Sequence, residues 1–270
     1  MPAHTGVPTV SGFRTIVYEK REGLAWVTLN RPEVLNAINL QMRDELWEAV
    51  HAARQDPEVA VLLFRGAGER AFSAGADISE FGTAPSYVEA RRARQQRDLW
   101  GFLETFPKPL VAAIHGYALG AGLELPLFCD IRIAAEDARL GLPEVNLGYI
   151  PSAGGTQTLP RTVPRAIAAQ MVLTGEAIAA REALRWGLVH RVVPRERLYE
   201  EAERVARALA ERPAEALSCA KRAVRRGLDL PIEEGLRLEA RLAGRLLRGR
   251  EARERLATWL EGRAPRFPAP

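Results

Sequence analysis

Three short runs constrain the fold most: Val59–Phe64, Leu110–Ile114 and Ile131–Ala135 are almost wholly apolar, with Arg132 the one charge among them. Runs this short, without polar alternation, suit strands covered on both faces inside α/β layers. Residues 14–19 and 24–29 predict two further strands joined at Arg21-Glu-Gly23. Asn39 predicts a cap for a helix over 40–55, with Leu40, Leu46, Trp47 and Val50 near helical spacing and Asp56-Pro57 ending it. Strands alternating with helices give an α/β class. Beyond about residue 195 the pattern becomes helical, over 196–211, 214–228, 232–247 and 251–262, broken by Pro213, Pro231 and Gly249. The expected organisation is an α/β core over 1–195 and a helical region over 196–270.

Composition excludes several classes. A hydrophobic share of 47% and a charged share of 27% are ordinary for a soluble globular chain. No apolar run approaches the roughly 20 residues of a membrane span, and the N-terminus lacks a secretory pattern, so the expected location is cytoplasmic. With only Cys129 and Cys219, a disulfide framework or cysteine metal cluster is not expected, and His4, His51, His115 and His190 show no ligand spacing. His115, at a strand end, suits a buried structural role. No P-loop, dinucleotide fingerprint or Gly-x-Ser-x-Gly elbow occurs. The net charge of +4 is concentrated in residues 201–270, which carry a net of +5.

Two glutamates stand out. Glu124 lies in a stretch, Pro109 to Ile131, with no Lys or Arg, and Glu144 lies in Gly141–Gly155, which has none either. A carboxylate without a counter-ion in apolar sequence is expected to be desolvated, with its pKa raised toward neutrality. Two of these in one pocket are suited to exchanging protons with a substrate. Ahead of Glu124, Gly120 and Gly122 mark a bend into a helix. If the free N–H there belongs to Ala121, Glu124 follows one turn later on the same side. A second small-residue turn, Ala71-Phe-Ser-Ala-Gly-Ala-Asp77, offers backbone N–H groups suited to an oxyanion. Taken singly, each segment also fits a plainer role: a tight turn, a structural carboxylate, a solvated loop glutamate.

Taken in order, the segments resemble the enoyl-CoA hydratase (crotonase) superfamily. The resemblance runs through Leu29-Asn-Arg-Pro-Glu-Val-Leu-Asn-Ala37, Phe72-Ser-Ala-Gly-Ala-Asp-Ile78, His115–Glu124, Pro143-Glu144 and Ile150-Pro-Ser-Ala-Gly-Gly-Thr-Gln157. It continues in Leu173-Thr-Gly175, Ala183–Val189 and Glu261–Phe267. It implies a spiral of ββα units with a helical C-terminal trimerisation region, assembled as a trimer or a dimer of trimers. It also implies an oxyanion hole from the N–H groups of Ala76 and Ala121, and a coenzyme A channel lined by Val34, Leu35, Ala37, Ala74, Asp77 and Ile78.

Members of the superfamily run several reactions. Retention of both glutamates implies syn hydration of a trans-2-enoyl-CoA, with Glu124 as base toward water and Glu144 delivering a proton to C2. Coenzyme A is then part of the substrate, and neither a metal nor a redox cofactor is implied. Double-bond isomerisation and a specialised hydratase of the methylglutaconyl-CoA type are the alternatives. An RNA-binding relative is disfavoured because aromatics are not interleaved with the C-terminal arginines. Departures from the pattern are Ser152, a substrate-site residue in place of glycine close to where the water should sit, and Gly262 in place of lysine, the latter shifting phosphate contact to Arg263 or Arg266. Residues 82–100 are expected to wall the acyl pocket.

Overall fold

The computed structural model describes residues 12–82, 86 and 97–262. Most of the expected acyl-pocket wall, together with Arg263, Arg266 and the tail, lies outside the described residues. The chain divides into two compact units, Met1–Ala210 and Glu211–Pro270.

The first unit contains β1 (Ile16–Arg21), β2 (Leu24–Leu29), α1 (Leu40–Gln55), β3 (Val61–Gly66), β4 (Ala71–Ser73), α2 (Leu99–Glu104), β5 (Leu110–Ile114) and β6 (Tyr117–Leu119). It continues with α3 (Ala121–Leu127), β7 (Ile131–Ala135), β8 (Arg139–Gly141), α4 (Gly155–Thr158), α5 (Arg165–Thr174), β9 (Ile178–Ala179), α6 (Ala180–Arg185), β10 (Arg191–Val193) and α7 (Leu198–Ala210). A six-stranded sheet runs in the order β1-β2-β3-β5-β7-β10, and a four-stranded sheet in the order β4-β6-β8-β9. The β1–β2 hairpin pairs Arg21 with Leu24, and every other pair in the larger sheet is parallel.

The apolar runs are covered on both faces. Ala25, Val27, Leu62, Phe64, Ala112 and Ile114 face the main core, while the alternate Leu24, Trp26, Leu63, Val111, Ala113 and Ile133 form a second core. That second core is closed by Leu198, Ala202, Val205 and Ala206 of α7. Each fully buried large aliphatic side chain contributes about 1.5–3 kcal/mol. Helix α7, grouped by sequence with the C-terminal helices, therefore packs with the sheet of the first unit.

A repeat connects the sheets. A strand of the larger sheet leads into a short strand of the smaller one, as in β3–β4, β5–β6 and β7–β8. After β6 comes α3, which carries Glu124, and after β8 comes the 3-10 turn Pro143–Leu147, which carries Glu144. This is the expected spiral of ββα units. Helix α1 starts where the sequence places it, with the Asn39 side chain accepting the Met42 N–H at 2.8 Å.

The second unit contains α8 (Ala214–Gly227), α9 (Ile232–Arg248) and α10 (Arg250–Leu260). Its buried apolar residues are Cys219, Leu238 and Leu242. No helix among the described residues is long and apolar enough to cross a membrane.

Candidate active site

The site forms where the smaller sheet hands the chain to α3 and to the turn at Pro143–Leu147. Gly120 has φ of +52°, and a Cβ added there would lie 2.9 Å from Glu144 Oε1. Only glycine accommodates that approach at that backbone angle. Gly75, at φ of +103°, lies against the same place, since a Cβ on it would meet Leu119 O at 2.7 Å and Ala121 N at 3.6 Å. These close approaches bring the Ala76 segment, the start of α3 and the Glu144 carboxyl together.

The two backbone donors follow from local geometry. Ile38 and Ala76 form an isolated parallel bridge in which Ile38 N–H donates to Gly75 O at 2.7 Å and Asp77 N–H to Ile38 O at 3.0 Å. In this arrangement the bonds come from the residues flanking Ala76, so the Ala76 N–H points away from the bridge. Ala121 is the first residue of α3, where an N–H has no intrahelical acceptor.

Both carboxyls are buried: Glu124 is 2% and Glu144 4% exposed. Glu124 Oε1 accepts the N–H groups of Ala153 at 2.8 Å and Gly155 at 2.7 Å. Desolvation raises its pKa to about 7 against those two bonds, and the charge of Glu144 adds to the rise. Burial also raises the Glu144 pKa. Its Oε2 is buried and has no hydrogen-bond partner among the described residues.

The expected channel residues are held by one network. Asn36, with φ of +55°, is fully buried and accepts the Arg31 N–H at 2.9 Å. Its Nδ2 donates to Ala67 O and Ala71 O, each at 2.9 Å. Ala74 N–H donates to Leu35 O at 2.9 Å, and Ser73 Oγ to Asn36 O at 2.8 Å. One guanidinium nitrogen of Arg31 reaches both Ala37 O, at 2.7 Å, and Asp77 Oδ2, at 2.9 Å. Bonds from Ser79, then from Arg31, hold the Asp77 carboxyl below its usual range. Leu35, Ala37, Ala74, Ala76 and Asp77 are half-buried, whereas Val34 and Ile78 are exposed. Ser152 is exposed beside Ala153 on the turn that cradles Glu124.

Sequence reasoning placed Asn36 within the channel segment 34–37 but gave neither it nor Arg31 nor Tyr149 a role of its own. Tyr149 N–H donates to Glu144 O at 3.3 Å, and its hydroxyl pKa is raised by burial and by the charges of Glu144 and Glu124. Nothing in a loop tyrosine between Gly148 and Ile150 signals this placement. His115 is fully buried, with Nδ1 3.4 Å from the Tyr199 hydroxyl. Among the described residues no group of three His, Cys, Asp or Glu side chains could hold a metal ion.

Residues 19–270 match the enoyl-CoA hydratase/isomerase family. The chain is 39% identical over 255 residues to a probable enoyl-CoA hydratase of Mycobacterium tuberculosis, covering 94% of this chain and 98% of that one. It is 38% identical over 256 residues to the crotonyl-CoA hydratase of Syntrophomonas wolfei, again covering 94% and 98%. The crystal structure of an enoyl-CoA hydratase from Geobacillus kaustophilus superposes with a TM-score of 0.89 at 39% identity, covering 96% of this chain and 99% of that one.

Proposed function

The chain belongs to the enoyl-CoA hydratase/isomerase family, and from that premise we propose that it adds water reversibly, in the syn sense, to a trans-2-enoyl-CoA, giving a 3-hydroxyacyl-CoA. The observation that carries this reading is the pair of buried carboxyls: Glu124 is fixed by two backbone N–H groups, and Glu144 has a buried oxygen unclaimed by any described residue. A single carboxylate would serve to shuttle a proton in isomerisation, whereas hydration calls for groups on both the water and C2.

In the proposed reaction the thioester oxygen lies between the N–H groups of Ala76 and Ala121, which stabilise the negative charge of the enolate as it develops. Water is held by both carboxyls. Glu124 takes one of its protons as the oxygen bonds to C3, the electrons of the double bond move into the enolate, and Glu144 delivers a proton to C2. The two carboxyls titrate as a pair, so the single proton they share is apportioned between them. No redox step occurs, and coenzyme A enters only as part of the substrate.

Segments 34–37 and 74–78 would line the coenzyme A channel, and the carboxyl-bearing core over 1–195 would hold the chemistry. The helices beyond α7 would support a homotrimer or a dimer of trimers. A cytoplasmic setting suits a chain whose Cys129 and Cys219 are both buried and not joined by a disulfide.

Purified protein incubated with crotonyl-CoA should consume the enoyl-thioester absorbance, and Glu144→Gln should lower kcat by about 10²–10⁴-fold while the variant still folds cooperatively. Retained hydration in that variant would remove Glu144 from the mechanism. Turnover of a 3-enoyl-CoA, with no hydration of any 2-enoyl-CoA, would instead assign the chain to the isomerases.

A further inference from the structure

We propose that Arg31 is a positioning residue for the oxyanion hole, its guanidinium clamping the segment that presents the Ala76 N–H; this rests on the hydratase reading above. Ala76 is paired with Ile38 in an isolated bridge of two backbone bonds. Gly75 O, which accepts one of them, and the Ala76 N–H belong to a single planar peptide. Any tilt of that peptide therefore swings the donor with it. On one side of the peptide stands Gly75 at φ of +103°, a residue whose own backbone preferences fix no orientation. The orientation has to be held from the other side, at Asp77.

Arg31 reaches that point. One of its guanidinium nitrogens donates to Ala37 O at 2.7 Å and to Asp77 Oδ2 at 2.9 Å. Ala37 directly precedes Ile38 and Asp77 directly follows Ala76, so the two bonds bracket the bridge. At the other end of the paired segments, Ala74 N–H donates to Leu35 O at 2.9 Å. Further out, the bond from Leu40 N–H to Glu80 Oε2 is exposed and competes with water. The Arg31–Asp77 pair is better shielded, with side chains 19% and 16% exposed, and its bond is charge-assisted. Both partners are themselves held in place. Arg31 N–H donates to Asn36 Oδ1 at 2.9 Å, and Arg31 O accepts the Asn36 N–H at 2.8 Å. The Ser79 N–H and hydroxyl occupy Asp77 Oδ1, which leaves Oδ2 facing the guanidinium. A rigid guanidinium plane between two anchored acceptors holds the Ala76 peptide at one tilt.

The test combines kcat and KM for crotonyl-CoA with the infrared carbonyl stretch of bound butyryl-CoA, isotopically labelled at the carbonyl carbon, with melting temperatures measured alongside. Butyryl-CoA has no double bond to hydrate, so its stretch reads the hole without turnover. In the wild type two N–H donors should polarise the carbonyl and lower the stretch below that of the free thioester. Arg31→Met, which keeps the aliphatic stem, should move the stretch back toward the free value and lower kcat by about 10²-fold, with KM within roughly twofold. Arg31→Lys keeps a charged donor for Asp77 and should recover about tenfold of that loss. Adding Asp77→Asn to Arg31→Met should lower kcat by no more than about twofold further, since the contact is already broken. If Arg31→Met melts early, Asp77→Asn alone carries the test, with a fall in kcat of about tenfold and a stretch displaced in the same direction. A lower melting temperature with kcat and the stretch unchanged would overturn the positioning role. So would a raised KM with kcat unchanged, which would make Arg31 a substrate-binding residue. A wild type that hydrates no 2-enoyl-CoA would overturn the hydratase reading alone, because the stretch still decides whether Arg31 sets the hole.

Discussion

The Glu124 carboxyl accepts two backbone N–H bonds that favour its ionised form, yet its pKa rises to about 7 because desolvation outweighs them. The sign of the stability effect follows. With the folded pKa above the reference value of 4.5, folding takes up a proton between the two. Stability is fully present below 4.5 and is lost as the pH rises through about 7, by an amount on the order of 3 kcal/mol. Glu124→Gln keeps an oxygen for the Ala153 and Gly155 N–H groups and removes the charge. In urea titrations it should match the wild type near pH 4.5 and exceed it at pH 8. Equal midpoints at pH 8 would mean that desolvation is not the dominant influence on this carboxyl. The sequence made Glu124 and Glu144 visible through the missing counter-ions, because a run without Lys or Arg can be read directly. Tyr149 stayed hidden because what sets it apart is a ring contact with Phe81, 68 positions away, and the influence of the two carboxylate charges on its hydroxyl.

Segment 31–38 shows the same division at the level of elements. Its strand-like neighbours and the helix at 40–55 were legible from apolar spacing and the Asn39 cap, whereas its own conformation depends on distant partners. Leu35 and Asn36 both have positive φ, at +56° and +55°, which the local sequence alone would not suggest for leucine. Asn36 stabilises that turn by bonding Arg31, Ala67 and Ala71, so it ties the proposed channel segment to the loop that leads into β4. Asn36→Ala would leave the buried Ala71 carbonyl, the part-buried Ala67 carbonyl and the Arg31 N–H without that partner, and an unsatisfied buried group costs about 1–3 kcal/mol. A loss of roughly 3 kcal/mol in urea denaturation is expected, together with a fall in kcat as the Ala76 bridge loosens. A loss below about 1 kcal/mol would assign the turn's stability to other bonds. The short strands β4, β6, β8 and β9 escaped sequence reading for a related reason. Each has two or three residues, too few to display a period of two. β3 likewise runs from Val61 to Gly66 rather than from Val59, because the Val59 N–H is used in a turn onto Asp56 O.

At the scale of the whole molecule, the two units differ in how well they bury their apolar side chains. The first unit covers both faces of its larger sheet. In the second, Cys219, Leu238 and Leu242 are buried, while Val224, Leu228, Ile232 and Leu260 are each at least 67% exposed. Helices with that many exposed large apolar side chains are under-satisfied as a monomer, since apolar surface left in water favours association. A second copy of the chain is the occupant consistent with the proposed trimer. Introducing charge at Leu228 and Ile232 together should then lower the assembled mass in light scattering without unfolding the α/β core, whose far-ultraviolet dichroism should persist. The wild-type melting temperature should also rise with protein concentration, because assembly stabilises only the folded chain. A wild type that scatters as a single chain at micromolar concentration, with a melting temperature independent of concentration, would assign the exposed face to a different partner and remove the homo-oligomer from the proposal.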